Sequence, residues 1–350
     1  MTIKFKADSL ITFAAEALKV NGMQPDMAQD IAEVLVEGDL YGHDTHGLAL
    51  LTPYINTLKA GKMRGSGEID IVTQRAAVAV WDGGYLPGPY LVRRGLEWAR
   101  AAARECGTAT LAIRKSGHIA ALAAYLEQPA RDGFMVQLMC SDPAVASVAP
   151  FGGTEPLVTP NPMSYGIPAT GGPIMIDISA SITTNGMTSR LHNSGTQGAH
   201  NWWLDANGTP TTDPTVLEDD PPGTLMPLGG VEAGHKGFSL ALFVESMTGG
   251  LAGHGRIDKP DQWGATVYLQ LIDCDAFGDA TEFERQMQWL VDRSVDNKPI
   301  DKNKPVRVPG QRAIARKAEQ LRDGVSLHET IVPALKELSR VNNIPVPQQL

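Results

Sequence analysis

The sequence predicts an α/β chain: a small helical unit first, then a layered strand-and-helix region, then C-terminal helices that return to the start. Three observations predict it. Apolar residues recur at helical spacing through residues 9–60. From residue 76 onward, short β-prone runs alternate with helical patterns. No Gly-x-Gly-x-x-Gly follows a strand, and the cluster Gly253-His254-Gly255-Arg256 follows a helix instead of opening one. A standard dinucleotide-binding fingerprint is therefore not available. The chain divides into residues 1–70, 71–312 and 313–350.

Taken in order, Ser9–Val20 reads as a helix through Leu10, Phe13 and Leu18, capped by Asp8 and stopped by Asn21-Gly22. Asp26–Leu40 is a second helix, with Met27, Ile31, Val34 and Leu35 on one face. A third runs over Leu48–Ala60 and ends at Gly61. Ala76–Trp81 is a strand closed by the turn Asp82-Gly83-Gly84. Tyr90–Glu105 is a helix, Ala109–Ile113 a strand, Ala120–Arg131 a helix and Phe134–Cys140 a strand. Pro143–Pro173 is rich in Pro and Gly and reads as a long functional loop. Pro173–Ile178 is a strand, Asn201–Leu225 is turn-rich, and Lys236–Leu251 is a buried helix. Ala265–Ile272 is a strand, Thr281–Val295 and Ala313–Asp323 are helices, and the tail Val341–Leu350 is expected to fray.

Composition narrows the function. With 350 residues, 43% hydrophobic and 20% charged, the chain is an ordinary globular protein. A net charge of -9 without a dense basic block argues against nucleic acid. No apolar run reaches the roughly 18 residues of a membrane span, and residues 1–10 lack a signal-peptide core. The three cysteines, Cys106, Cys140 and Cys274, lie far apart, so no disulfide framework or cysteine zinc site is expected. The cytoplasm is the default.

Four places could carry chemistry. His43-Asp44-Thr45-His46-Gly47 groups two imidazoles, a carboxylate and a hydroxyl, suited to moving a proton near neutral pH. The same residues would also serve as a plain capping segment. A zinc site would need further ligands, and no His-Glu-x-x-His completes one. Ser116-Gly117-His118 follows a strand, where a histidine is either catalytic or structural. Gly234-His235-Lys236-Gly237 opens a helix whose amides and lysine could seat a phosphate, or it is ordinary helix entry. Asp177, at a strand end, is a ligand contact or a cap.

Read together, these segments resemble one family. The residues are Gly42 to Gly47 with Tyr54, Ser116-Gly117-His118, and Pro150-Phe151-Gly152-Gly153 with Asn161-Pro162. Further along come Asp205 to Pro214, Pro227 to Gly230 with His235-Lys236-Gly237, and Pro309-Gly310-Gln311. In this order they resemble the type-2 malate/L-lactate dehydrogenases, the sulfolactate dehydrogenase-like oxidoreductases, and within them a hydroxycarboxylate dehydrogenase branch. The resemblance implies the family's non-Rossmann α/β fold, a homodimer, and NAD or NADP as cofactor. It implies hydride transfer between a small 2-oxo acid and its 2-hydroxy acid. His46 would be the proton donor, with Thr45 in a relay and His118 and Asp177 beside it. Ser141, Ile178, Ser179, Ala180 and Ser181 would line the cofactor, His235 and Lys236 would bind it, and Gly310 and Gln311 would close over it. Tyr54 and Leu50 would meet the substrate.

Two departures matter. Many relatives carry an arginine four residues after the second histidine, where this chain has Leu50. The family's Gly-Lys after its cofactor strand is Gly186-Met187 here. A cationic anchor must then come from elsewhere, or the acid has an apolar side chain that Leu50 contacts. The alternatives are a cyclic ketimine reductase, acting on a piperideine- or pyrroline-carboxylate, and a non-catalytic nicotinamide-binding sensor.

Overall fold

Helix formation at the N-terminus follows the apolar spacing. The computed structural model describes residues 3–350; Met1 and Thr2, which head the expected helical unit, lie outside the described residues. α1 (Ala7–Val20) buries Leu10, Phe13 and Leu18. α2 (Pro25–Tyr41) buries Met27, Ile31, Val34 and Leu35. The expected Asp8 cap does not form. α1 starts at Ala7 with Lys6 at the cap position, so Asp8 falls in the first turn, where its charge meets the positive end of the helix dipole. A 3-10 turn, Leu48–Leu50, leads into α3 (Leu51–Lys59).

The layered region is built on one mixed sheet. Its strands are β1 (Asp70–Gln74), β2 (Val78–Asp82), β3 (Thr108–Ser116), β4 (Phe134–Ser141), β5 (Met163–Ile167), β6 (Ile174–Ile178) and β7 (Ala265–Asp273). They lie in the order β1-β2-β3-β7-β4-β5-β6. β2 and β3 are parallel, joined by α4 (Gly88–Cys106); the other neighbours are antiparallel. Along β7, side chains alternate between two cores. Val267, Leu269 and Leu271 join the large core under α1, α2 and α4. Tyr268 joins a second core with Met139, Met163, Trp203 and Leu225.

Several elements differ from expectation. β1 was not expected because all its residues are exposed, and β5, Met-Ser-Tyr-Gly-Ile, has little apolar pattern and lies inside the expected long loop. The helix expected over Ala120–Arg131 is broken. Ala120 has φ +59°, Ala121 is extended, and only a 3-10 turn, Leu122–Tyr125, precedes α5 (Glu127–Arg131). α6 (Asn185–Asn193) was not foreseen; Thr184 caps it by accepting from the Met187 N–H. The turn-rich stretch holds the short strands Trp203–Leu204, Pro210–Thr211 and Thr224–Leu225.

α7 (Gly230–Glu245) starts earlier than expected, with non-helical backbone at Ala233 (φ -128°). It is also less buried than expected. Its inner stripe is small, Gly234, Gly237, Ala241 and Val244, while Val231, Leu242 and Phe243 are exposed. α8 (Ala280–Val295) is capped by Asp279.

The C-terminus folds back on the N-terminal helices. α9 (Gln311–Asp323) sets Lys317 against Glu37 and Glu127, and Gln320 donates to the carbonyls of Asp39 and Leu40. α10 (Ile331–Asn342) follows. The tail does not fray. Lys6 N–H donates to Gln348 O, Leu350 N–H donates to Lys4 O, and Ile344 is buried. No described helix is long and apolar enough to cross a membrane.

Candidate active site

The end of α2 builds the first half of the site. Gly42, with φ +90°, ends the helix in the left-handed region. Its N–H donates to Asp39 O and the His43 N–H to Gly38 O, at 3.0 and 2.8 Å. This is the Schellman arrangement, which favours glycine. The chain then doubles back over the helix. That close approach needs Gly38, where a Cβ would sit 3.1 Å from His46 O. Asp39 locks the far end: its Oδ2 accepts from the Leu48 N–H at 2.7 Å, and its carboxyl presses on Gly47, where a Cβ would lie 2.4 Å from Asp39 Cγ. Burial pushes the Asp39 carboxyl up to about 7. The residues between, His43 to His46, are presented as a half-buried loop.

The second half comes from the loop after β3. His118 stacks on His46, ring centroids 5.8 Å apart and planes 28° apart. Trp263 stacks on the same ring of His118 at 4.9 Å. The fully buried Tyr54 sets its hydroxyl 2.9 Å from His118 Nδ1 and 3.0 Å from His118 O. The Ala120 N–H also donates to Nδ1, at 3.2 Å. An atom that accepts from a backbone N–H carries no proton, so the neutral ring of His118 has its proton on Nε2. Thr45 Oγ1 lies 2.9 Å from His46 Nδ1. Burial, with His43 nearby, lowers His46 to about 4; burial, with His46 nearby, lowers His118 to about 3. Two stacked imidazoles in a dry setting are thus neutral in the free protein, and a developing negative charge beside them would favour protonating one.

Asp177 caps the turn before α5, accepting from the Ala123 N–H at 3.0 Å. Burial raises its carboxyl, opposed by His43. It therefore faces His43 and also does the work of a cap. α6 closes the other side. A Cβ on Gly186 would lie 3.4 Å from Thr45 Cβ and 3.6 Å from His46 Cε1. One turn on, Arg190 Nη2 donates to Asp44 Oδ1 at 3.0 Å.

A second cluster gathers the loop after β6 and the start of α7. Leu228 N–H donates to Ala180 O at 2.8 Å, and Gly237 N–H to Leu228 O at 3.1 Å. Ser179 and Ser181 bond within the loop. Ile178, His235 and Lys236 are exposed, and Phe151 meets the His235 ring edge-on at 5.7 Å. Ser141 is not part of this surface. It is buried, donating to Glu245 Oε1 at 2.7 Å and accepting from Arg256 at 3.1 Å, in a network that Asn161 completes. Gly310 packs on the start of β6, where a Cβ would lie 2.8 Å from Met175; Gln311 Oε1 accepts from Val308 N–H. Leu50 is half-buried against the helical core.

The family model for malate/L-lactate dehydrogenase matches residues 5–336. The chain belongs to the malate/L-lactate dehydrogenase family. This dehydrogenase is 27% identical over 334 residues to the malate/(S)-sulfolactate dehydrogenase of Methanothermus fervidus, covering 93% of this chain and 94% of that protein. Among solved structures it is similar to malate dehydrogenase from Entamoeba histolytica, with a TM-score of 0.92 and 25% identity, covering 99% of this chain and 100% of that one. It is also similar to delta1-piperideine-2-carboxylate reductase from Pseudomonas syringae pvar. tomato, with a TM-score of 0.83 and 26% identity, covering 96% and 99%.

In this dehydrogenase Thr45 and His46 of one loop meet His118 and Tyr54 from two other segments at one place. Ala180, in the loop after β6, is tied through Leu228 to Gly237, next to Lys236. Three neighbours were missed by sequence reasoning: Asp39, Arg190 and Trp263. Asp39 looked like one more helix residue. Trp263 is a lone aromatic ahead of a strand. The signal for α6 was Thr184 three residues ahead of Met187, a natural capping spacing.

Proposed function

We propose that this dehydrogenase interconverts a small 2-oxo acid and its 2-hydroxy acid, with NAD or NADP as cofactor and His46 as the proton donor in reduction. The observation that carries this reading is the stacked His46–His118 pair with the Thr45 hydroxyl on His46 Nδ1. As charge grows on the substrate oxygen, the His46 imidazole supplies the proton and Thr45 orients it. His118, held by Tyr54 and Ala120, keeps His46 in position. Its Nε2–H is a second donor to the same space. Asp177 faces His43 and supports the loop.

The surface around α7 fits a nicotinamide dinucleotide. Phe151, Ile178 and Leu228 are exposed apolar groups, Phe151 packs on His235, and the neighbouring Lys236 is exposed, a combination that suits a flat ring and a phosphate. When bound, the nicotinamide supplies or takes the hydride. Ile178 to Ser181, His235 and Lys236 would hold it, with Gly310 and Gln311 at the sheet edge.

The test is oxidation of NADH and of NADPH, followed by absorbance, with pyruvate, oxaloacetate, phenylpyruvate, 2-oxoglutarate, diketogulonate and piperideine-2-carboxylate. Turnover of an open-chain oxo acid is expected. Activity on the cyclic imine alone would replace this reading with ketimine reduction, which the likeness to the piperideine-carboxylate reductase favours as a second reading. Inactivity on all six would leave a nicotinamide-binding sensor.

The inverted burial of α7, small residues inside and Val231, Leu242 and Phe243 outside, supports a homodimer in which a second copy covers that face. Light scattering should give twice the chain mass of 37.5 kDa. The double variant Leu242→Asp, Phe243→Asp should run as a monomer; a monomeric wild type would refute the dimer.

A further inference from the structure

We propose that Arg190 is the carboxylate anchor of this site, gripping the acid group of the 2-oxo or 2-hydroxy acid while Asp44 holds its guanidinium in place. The inference rests on the oxo-acid reading above. It answers a gap in the sequence, because the place where many relatives carry an arginine is Leu50, packed against the helical core. The lysine of the Gly-Lys pair is Met187.

The position of Arg190 follows from α6. Gly186 and Arg190 are four residues apart and share one face of the helix. A Cβ on Gly186 would point at Thr45 and His46, and Arg190 reaches Asp44, so that face looks onto the His43–His46 loop. Asn185, Thr188, Ser189 and His192 of α6 line a separate cavity of about 310 Å³.

The guanidinium is available. Among the described residues its one partner is Asp44, through Nη2. Nη1 and Nε remain, and Nη2 keeps a second N–H, so the edge that Asp44 does not occupy, Nη2 with either Nη1 or Nε, can still meet a carboxylate with two parallel bonds. Arg190 and Asp44 keep 28% and 34% of their side-chain surface exposed, so a small acid can reach them. A lysine would supply charge without that planar fork.

The test compares wild type, Arg190→Gln, Arg190→Lys and Arg316→Gln on the best oxo acid and on its uncharged methyl ester. Arg316 is the control cation, because it packs on Gly42 at the start of the loop. Arg190→Gln should raise KM for the acid on the order of 10²-fold and leave the ester and the NAD(P)H Kd within about twofold. Arg190→Lys should fall between. Circular dichroism checks folding, and if Arg190→Gln does not fold, Arg190→Lys carries the comparison with a smaller shift. An unchanged KM in Arg190→Gln, with wild type active on oxo acids, overturns the anchor alone. So does an equal loss on acid and ester, or a loss that appears in Arg316→Gln instead. A wild type inactive on every oxo and hydroxy acid overturns the reading beneath it as well.

Discussion

Replacing His46 with alanine should lower kcat for oxo-acid reduction by about 10²- to 10⁴-fold, the usual contribution of a positioned general acid, while the NAD(P)H Kd stays near wild type. The ring lies against Thr45, His118 and Gly186, on a different segment from the Lys236 surface, so its loss touches proton transfer and not the proposed cofactor contacts. A wild-type kcat in His46→Ala would remove His46 from the chemistry. The pH dependence gives a second readout. Burial lowers His46 from its ordinary 6.5 to about 4, so the free enzyme holds it neutral, ready to accept a proton from a hydroxy acid. The kcat/KM for oxidation should therefore stay level as pH falls through 6.5 and drop only toward about 4. An inflection at 6.5 would mean that the ring is solvated in the free enzyme. Reduction needs the protonated ring, so its rate should rise as pH falls. Stability carries the matching sign. His46 and His118 are lowered to about 4 and about 3, so the unfolded chain binds more protons below 6.5. Their contribution is complete above 6.5 and is lost as pH falls through that window.

Gly237→Ala should both destabilise the fold and weaken cofactor binding. An added Cβ would sit 2.3 Å from Leu228 N, 2.6 Å from Leu228 O and 2.7 Å from Ala180 O. These are backbone atoms of two loops joined to each other and to α7, so no side chain can swing away. The helix must lift, at a cost of about 1–3 kcal/mol. The Ile178–Ser181 loop then separates from His235 and Lys236. A fall in Tm and a rise in NAD(P)H Kd of about tenfold or more are expected, tenfold being about 1.4 kcal/mol. Gly250→Ala is the control, since its added carbon meets only Glu245 O at 3.6 Å. Wild-type melting and binding in Gly237→Ala would mean that the two loops do not need this close contact.

Much of the His43–Gly47 loop was legible in the chain. Gly42 stops α2, and His43 to Gly47 crowd proton-handling groups into a few positions, because these are relations between neighbours. The expected helix over Ala120–Arg131 failed for a reason that composition hides. Alanine is a strong helix former, yet Ala120 takes a positive φ where the chain turns to bring His118 Nδ1 to its own N–H. The buried helix at Lys236–Leu251 was misread because apolar content does not say which side is covered; on α7 glycine and alanine face inward and phenylalanine outward.

The sequence by itself determined the kind of fold, the histidine-rich segment and the order of the family's motifs, since spacing along the chain encodes helix faces, strand alternation and turns. Tertiary structure alone decided that His118 and Trp263 stack behind His46, that Arg190 meets Asp44, and that Ser141 is committed to Glu245 and Arg256. Those residues lie many turns apart in sequence. Their meeting depends on which faces bury against one another and how closely glycines let the backbones approach, and local spacing carries neither.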